Sequence, residues 1–338
     1  MPNSIDYEKC MKGYEGKTVL ITGATGLIGR NLVYELLRLG ATVLATGRNE
    51  SKLEKVFSKE LSNDKLILLK CDVSDSLPQN LCKLDYIFHA ASPISGTEIR
   101  TVPVNTILAN INGVKNCLDF LRKQATGRLV VFSSATVYGN IYIKKDITVS
   151  EEMTDFADAL HTDNTPYSES KRMVEVIARS YLTQYGVDSV IARMGYVYGY
   201  CEPTPNTAFY QFVETAVSGN DVVVNNSGMG RRDNIHVEDV MRGLLLVAMK
   251  GHSGDAYNIS SNGELDNYRA IDEIAKIIVD SVNRYTEKDI KTIIKPMRGE
   301  RKPGLKMDNG KIRKLGWNVE IGLAEGIDRT VARFVEKR

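Results

Sequence analysis

The segment that most constrains this chain runs from Thr18 to Gly29. An apolar, strand-like run, Thr18-Val19-Leu20-Ile21-Thr22, leads straight into Gly23-Ala24-Thr25-Gly26-Leu27-Ile28-Gly29, and Asn31–Leu39 follows with helical character. Three glycines in that position permit a tight turn and let backbone N–H groups approach a pyrophosphate. The positive end of the following helix favours the same anion. Glycine collects in ordinary turns as well, so the placement between strand and helix carries the signal, not the trio alone.

The rest of the chain reads in the same way. Short apolar runs at Thr18–Thr22, Thr42–Thr46, Leu66–Lys70, Tyr86–His89, Leu129–Ser133 and Ser189–Arg193 alternate with helix-like stretches. That alternation specifies an α/β fold with a doubly wound parallel sheet of the Rossmann type, binding its ligand at the carboxyl ends of the strands. In Thr106–Gln124 the residues Ile107, Leu108, Ile111, Val114, Leu118 and Leu121 fall on one helical face. Arg269–Arg284 repeats the pattern with Ile271, Ile274, Ala275, Ile278, Val279 and Val282. After about Tyr196 the texture changes, with two prolines in Cys201–Thr207 and a glycine- and arginine-rich turn at Gly228–Arg232. The expected division is an arm over 1–16, an NAD(P)-binding domain over 17–195 plus about 233–261, and a smaller C-terminal α/β substrate domain from 196–232 and 262–338.

Composition narrows the function. The 338 residues include 44 basic and 42 acidic side chains, a net charge of +2, so nothing electrostatic favours nucleic acid or an anionic membrane. Leu244–Met249, among the longest apolar runs, is far short of a membrane span. The polar N-terminus lacks a signal-peptide core, which points to the cytoplasm. Cys10, Cys71, Cys82, Cys117 and Cys201 are scattered without a CxxC pair, and the four histidines are dispersed, so reduced thiols and no metal site are expected.

Pro166-Tyr167-Ser168-Glu169-Ser170-Lys171 opens a helix that ends near Gly186. A spacing of four puts Tyr167 and Lys171 on one face, where an ammonium can stabilise a phenolate. Free tyrosine titrates near pH 10, so it needs that help to exchange protons near neutrality. Isolated Tyr-x-x-x-Lys is usually a surface pair; behind a phosphate loop it reads as catalytic.

The Gly-x-x-Gly-x-x-Gly spacing and the order of the motifs resemble the extended branch of the short-chain dehydrogenase/reductases, the NAD-dependent epimerase/dehydratase family, over roughly residues 17–330. The resemblance implies cofactor contacts from Gly23, Thr25, Gly26, Leu27, Ile28 and Gly29, from Asp72-Val73 after the third strand, and from Ala90-Ala91-Ser92 after His89. Asn110 matches a helix asparagine of the family's active-site network, and Tyr167 and Lys171 join the cofactor contacts. Ser134 matches the serine of UDP-galactose 4-epimerases, with Ser133 the competitor. Where 4,6-dehydratases carry an Asp-Glu pair and UDP-glucuronate decarboxylases a glutamate, this chain has Ala135 and Thr136. Neither can move a proton that way, which demotes both reactions.

Two further positions bear on the ligands. The second strand ends Ala45-Thr46-Gly47-Arg48-Asn49, without the acid that bonds the ribose 2′-hydroxyl in NAD enzymes. Arg48 offers a guanidinium for a 2′-phosphate instead, favouring NADP(H) while leaving NAD(H) open. Arg232, in Arg231-Arg232-Asp233-Asn234-Ile235-His236-Val237-Glu238-Asp239, matches an arginine that holds the diphosphate in nucleotide-sugar enzymes. Arg298 and Arg301 offer a second clamp. Tyr196 stands where the family often has a phosphate-binding asparagine, a loss for which Asn206 could compensate. Lys314-Leu315-Gly316-Trp317 resembles the family's C-terminal end.

The resemblance thus implies a nucleotide-sugar 4-epimerase with a nucleoside-diphosphate sugar as its partner. Tyr167 would take the hydroxyl proton while hydride passes to the nicotinamide, and the ketone would be reduced again from its other face. An NADPH-dependent 4-ketoreductase of a deoxysugar nucleotide is the alternative enzyme. A non-catalytic NADP-binding sensor is the alternative of another class, and the intact Ser134, Tyr167 and Lys171 argue against it. Helices Thr106–Gln124 and Tyr167–Tyr185 pair across a two-fold axis in relatives, so a homodimer is expected.

Overall fold

The computed structural model describes residues 10–139, 146–153, 160, 162–225, 230–295 and 304–337. In chain order the strands are β1 (Thr18–Thr22), β2 (Thr42–Gly47), β3 (Leu66–Lys70), β4 (Tyr86–His89), β5 (Arg128–Ser134), β6 (Ile147–Val149), β7 (Ser189–Met194), β8 (Tyr196–Tyr198), β9 (Val222–Val224), β10 (Arg231–His236), β11 (Ala256–Ile259), β12 (Tyr268–Ala270), β13 (Thr292–Ile294) and β14 (Leu305–Met307). The helices are α1 (Leu27–Arg38), α2 (Glu50–Val56), α3 (Gly96–Thr101), α4 (Pro103–Gln124), α5 (Thr165–Tyr185), α6 (Ala208–Val217), α7 (Val237–Lys250), α8 (Ile271–Thr286), α9 (Gly310–Arg313) and α10 (Leu323–Glu336).

Seven strands form one parallel sheet of order β3-β2-β1-β4-β5-β7-β11. Alternate residues point to opposite faces, and helices cover both, so the strands are apolar throughout. Val19, Ile21, Phe88, Val130 and Phe132 pack with Leu32 and Leu36 of α1 and with Leu244–Val247 of α7. Leu20, Ile87, Leu129, Val131 and Ile191 pack on the other face with Val114, Leu118 and Leu121 of α4 and Val174 and Ala178 of α5. The chain reverses its winding between β1 and β4, where Thr22 lies opposite His89. A crevice opens at such a switch point, at the carboxyl ends of the strands.

A second region lies beside these strand ends. Strands β12, β10, β14 and β6 form a small sheet, with β8 paired to β10. Helices α6, α8 and α10 bury Val213, Ile274, Ile278, Val282, Ile327 and Val331 against one another.

Several segments sit elsewhere than local pattern suggested. β6 lies within 17–195 and β10 straddles the expected boundary at 232/233, and both pair in the small sheet. Strand partnership is a long-range property that short apolar runs do not encode. Of the residues read as an arm, those from Cys10 onward are described, and Met11 and Tyr14 are buried. Tyr14 fastens this segment by donating its hydroxyl to the Leu245 carbonyl oxygen at 2.7 Å. On α4, Val114, Leu118 and Leu121 of the expected face are buried, Leu108 is 49 % exposed, and Thr106, Asn110, Gly113 and Cys117 share the buried side. The helix buries polar groups toward the crevice and leaves part of its apolar stripe outside.

Candidate active site

β1 delivers the chain to the crevice through Gly23, whose φ of +64° lies in the left-handed region. A Cβ there would meet the Ala91 backbone nitrogen at 2.7 Å, and one at Gly29 would collide with the Gly23 carbonyl oxygen. These two glycines therefore let the loop fold onto α1 and onto the segment after β4. Gly26 is the N-cap of α1, where the first helical N–H groups have no intrahelical partner. Thr25, Leu27 and Ile28 fill the same turn. The arrangement fits a dinucleotide's pyrophosphate at a helix N-terminus.

The switch point is fixed from below. Thr22 Oγ1 lies 2.9 Å from His89 Nδ1 and accepts the Ala91 N–H at 3.2 Å. Burial lowers the His89 imidazole to about 3, helped by the nearby Lys171 charge, so the ring stays neutral. His89 thus supports the Ala90-Ala91-Ser92 turn, an assignment that sequence reasoning missed; the signal was a histidine ending an apolar strand.

The residues brought together at the carboxyl edge form a directional chain of hydrogen bonds. Ser92 Oγ donates to Asn110 Oδ1 at 2.7 Å, Asn110 Nδ2 donates to Ser170 Oγ at 2.9 Å, and Ser170 donates to the Tyr167 carbonyl oxygen at 2.8 Å. The Tyr167 hydroxyl bonds both Ser134 and Ser92. Ser134 Oγ accepts the Thr136 N–H at 3.2 Å and keeps its own proton for Tyr167. Burial pushes the Tyr167 phenol up, and the bonds to Ser134 and Ser92 pull it partly back.

Lys171 lies one turn further along α5, with its nitrogen 5.7 Å from the Tyr167 ring centroid. It is buried and donates to the Phe132 carbonyl oxygen at 2.9 Å, which leaves two of its three donors without a partner among the described residues. Burial pushes its ammonium down to about 8.

Ser133 and Ser134 are separated by what they bond. Ser133 donates to the buried Glu175 carboxylate at 2.5 Å, and Ser134 meets Tyr167. The next residues form a short 3-10 turn, Ala135–Tyr138, in which Thr136 Oγ1 is buried without a hydrogen-bond partner.

The remaining predicted residues spread along the rim. Arg48 is exposed at the end of β2, and Asn49 beside it caps α2 by accepting the Lys52 N–H at 2.9 Å. Asp72 accepts the Ser74 N–H and hydroxyl at 3.0 and 2.6 Å, which shapes the turn after β3, while Val73 is buried. Arg232 stacks over the Tyr196 ring at 4.8 Å, and β8 and β10 pair so that Tyr196 lies opposite Asn234. Tyr196 is two residues past Met194, the neighbour of Ser134 across β5 and β7, so this stacked pair lies beside the catalytic edge. Asn206 is exposed and accepts a bond from Gln211 at 2.9 Å. Arg298 and Arg301 lie outside the described residues.

A glycine-lined helix N-terminus beside a serine, tyrosine and lysine at the carboxyl edge of a doubly wound sheet defines an enzyme of the extended short-chain dehydrogenase/reductase class. The family model described as "NAD dependent epimerase/dehydratase family" matches residues 19–260, and the chain belongs to that family. A nicotinamide dinucleotide is accordingly its cofactor. UDP-glucuronic acid decarboxylase 1 of Arabidopsis thaliana is 27 % identical over 324 residues, covering 94 % of this chain and 69 % of the relative. An epimerase from Methanothermobacter thermautotrophicus superposes with a TM-score of 0.82 at 24 % identity, covering 100 % of this chain and 97 % of the other. The dTDP-glucose 4,6-dehydratase of Streptomyces venezuelae, solved with NAD bound, reaches a TM-score of 0.77 at 25 % identity over 95 % and 98 % of the two chains.

Proposed function

We propose that this protein is a nucleotide-sugar 4-epimerase in which Tyr167 is the acid–base group, Ser134 its hydroxyl partner and Lys171 the cation that stabilises the phenolate. The observation that carries this reading is the Tyr167–Ser134 bond above a buried Lys171, followed by residues that bear no proton-transfer group at Ala135 and Thr136. That set can take and return the hydroxyl proton when a carbinol is oxidised and its ketone reduced, the hydride being the cofactor's part. Water removal would need a further acid and base, and decarboxylase-type chemistry the glutamate that Thr136 replaces. With its pyrophosphate held at the glycine-lined turn, the cofactor would supply the nicotinamide that accepts and returns the hydride. The relatives named above act on UDP-glucuronic acid and dTDP-glucose, which supports a nucleoside-diphosphate sugar as substrate, with Arg232 as the diphosphate clamp.

The test is incubation of the purified protein with UDP- and dTDP-hexoses, following inversion at C4 by NMR. Stoichiometric consumption of reduced cofactor with a 4-keto sugar would instead establish the ketoreductase that Arg48 favours. Arg48 also supports NADP(H) over NAD(H). Arg48→Ala should weaken NADP(H) by about 1.5–3 kcal/mol more than NAD(H), the range of a charge-assisted bond. Equal losses, measured by titration, would remove Arg48 as the reader of a 2′-phosphate.

A homodimer fits the same reading. Val104 and Leu108 on α4 and Met173 and Val176 on α5 are exposed apolar side chains on two helices that pack along each other. Val176→Glu should convert a dimer to a monomer in light scattering at micromolar concentration, and a monomeric wild type would end the proposal. The five unpaired cysteines suit a cytoplasmic protein.

A further inference from the structure

Helix α5 touches the end of β5 through three polar contacts on consecutive strand residues. Lys171 bonds the Phe132 carbonyl oxygen, Glu175 accepts the Ser133 hydroxyl, and Tyr167 meets the Ser134 hydroxyl. Tyr167, Lys171 and Glu175 are spaced by four and share one helix face. Below them the contact is made by Val174 and Ala178, buried apolar side chains whose packing carries no directional bond.

Glu175 adds direction to this contact because it is held from two sides. Arg193 of β7 donates Nε to Oε1 at 2.9 Å and Nη2 to Oε2 at 2.7 Å, and its side chain is only 3 % exposed. Arg193 lies directly opposite Ser133 in the β5–β7 register, so strand, helix and second strand meet at one carboxylate. Its remaining nitrogen donates to Tyr138 Oη at 3.0 Å and to the Glu151 carbonyl oxygen at 2.9 Å, tying in the turn that follows Ser134. A two-pronged guanidinium–carboxylate pair fixes direction as well as distance.

We propose that Glu175, clamped between Arg193 and Ser133, is the positioning residue that holds the Tyr167 and Ser134 hydroxyls within reaction distance. The proposal rests on the reading of Tyr167 and Ser134 as the reacting pair. Removing the Ser133 hydroxyl cuts the tie to β5 and leaves the buried ion pair intact, so Ser133→Ala is the variant expected to fold. Its kcat should fall about tenfold while KM changes less than about twofold, since misplacement by a fraction of an ångström costs turnover steeply. Ser133→Thr keeps the hydroxyl and should restore the rate. Glu175→Gln, which keeps an acceptor but leaves Arg193 without a counter-charge, should lower kcat further.

A second readout needs no substrate. In protein labelled at the tyrosine ring carbon that bears oxygen, the Tyr167 NMR resonance is assigned by its disappearance in Tyr167→Phe. It should move in Ser133→Ala and return to the wild-type position in Ser133→Thr. A resonance that stays in place, or wild-type kcat in folded Ser133→Ala, overturns the proposal. Should the wild type turn over no nucleotide sugar, the functional reading fails by itself, and the resonance alone decides whether Glu175 positions Tyr167.

Discussion

Two buried polar clusters, one around Asp233 and one around Tyr167, use similar side chains to opposite ends. The Asp233 carboxylate accepts bonds from Ser260 Oγ at 2.5 Å, Ser261 Oγ, the Gly263 N–H at 3.2 Å and the Met307 N–H at 3.0 Å. It pins β10 to β14 and to the loop after β11, and its acceptor capacity is spent. Around Tyr167 the network is left unfinished: among the described residues Lys171 keeps two donors and Thr136 Oγ1 has no partner, and burial displaces both Tyr167 and Lys171 from their ordinary titration ranges. Spent hydrogen-bond capacity builds structure, and unspent capacity at a crevice is available for a ligand. A motif containing Arg-Asp-x-Ile-His-Val therefore mixes the two kinds, with Asp233 a fastener beside a candidate ligand contact at Arg232.

The sharpest way to break this contrast is to substitute one member of each cluster. Tyr167→Phe should reduce turnover by roughly a hundredfold or more, the share commonly due to acid–base catalysis, while unfolding in denaturant stays close to wild type. Asp233→Asn should do the reverse. Its amide would face four donors with only one acceptor oxygen, costing on the order of 3 kcal/mol of stability, while the folded fraction keeps most of its turnover. An Asp233→Asn protein of wild-type stability but lost activity would assign Asp233 to the chemistry and dissolve the distinction.

Next in size is the pH dependence of stability set by Lys171. Burial lowers its ammonium from 10.5 to about 8, so between these values the unfolded chain binds the proton more readily than the folded one. The slope of unfolding free energy with pH is then positive, and stability rises from about pH 8 to about pH 10.5 as the buried charge is relieved. The full effect is on the order of 3 kcal/mol. Lys171→Met should lose turnover yet be at least as stable as wild type at pH 7, and should lack this increment in denaturant titrations compared across pH 8–10.5. An identical pH profile in wild type and variant would show that Lys171 is solvated and its network finished.

The parts legible in the sequence were those encoded within a few residues. The strand–glycine–helix passage at Thr18–Arg38 and the four-residue spacing of Tyr167 and Lys171 are local, and they predicted the sheet, the turn and the shared helix face. What escaped was pairing between distant segments. Ser134 was named as the partner of Tyr167 through the resemblance, but nothing near Ser133 announces that it bonds Glu175, and nothing near Arg193 announces that it closes on the same carboxylate. Leu108 shows the other limit. Its apolar character placed it on the buried face of α4, but that face is chosen by the polar crevice that Asn110 enters, so Leu108 stays outside. β10 likewise was not legible as a strand, because its partners β8, β12 and β14 come from distant parts of the chain.

The smallest expected effect tests whether the unfinished network extends to the rim. Arg232 lies 4.8 Å from the centre of the Tyr196 ring, and Tyr196 itself is 49 % exposed. If Arg232 clamps a diphosphate, Arg232→Ala should weaken binding of the nucleotide sugar by about 2 kcal/mol, roughly thirtyfold in Kd, and leave cofactor affinity unchanged, because a charge-assisted bond disappears and a phosphate stays underpaired. If Tyr196 then acts only by holding the guanidinium in place, its share is that of an exposed cation–π contact, about 0.5–1 kcal/mol. Tyr196→Leu should therefore weaken the nucleotide sugar a few-fold, and Tyr196→Phe, which keeps the ring face, hardly at all. Calorimetric titration of the three variants with a nucleoside diphosphate separates the cases, since this ligand carries the phosphates without the sugar. A loss in Tyr196→Phe as large as in Tyr196→Leu would mean that the phenol oxygen itself meets the phosphates, taking over the task of the asparagine it replaces. The rim would then hold two ligand contacts instead of one contact and its support.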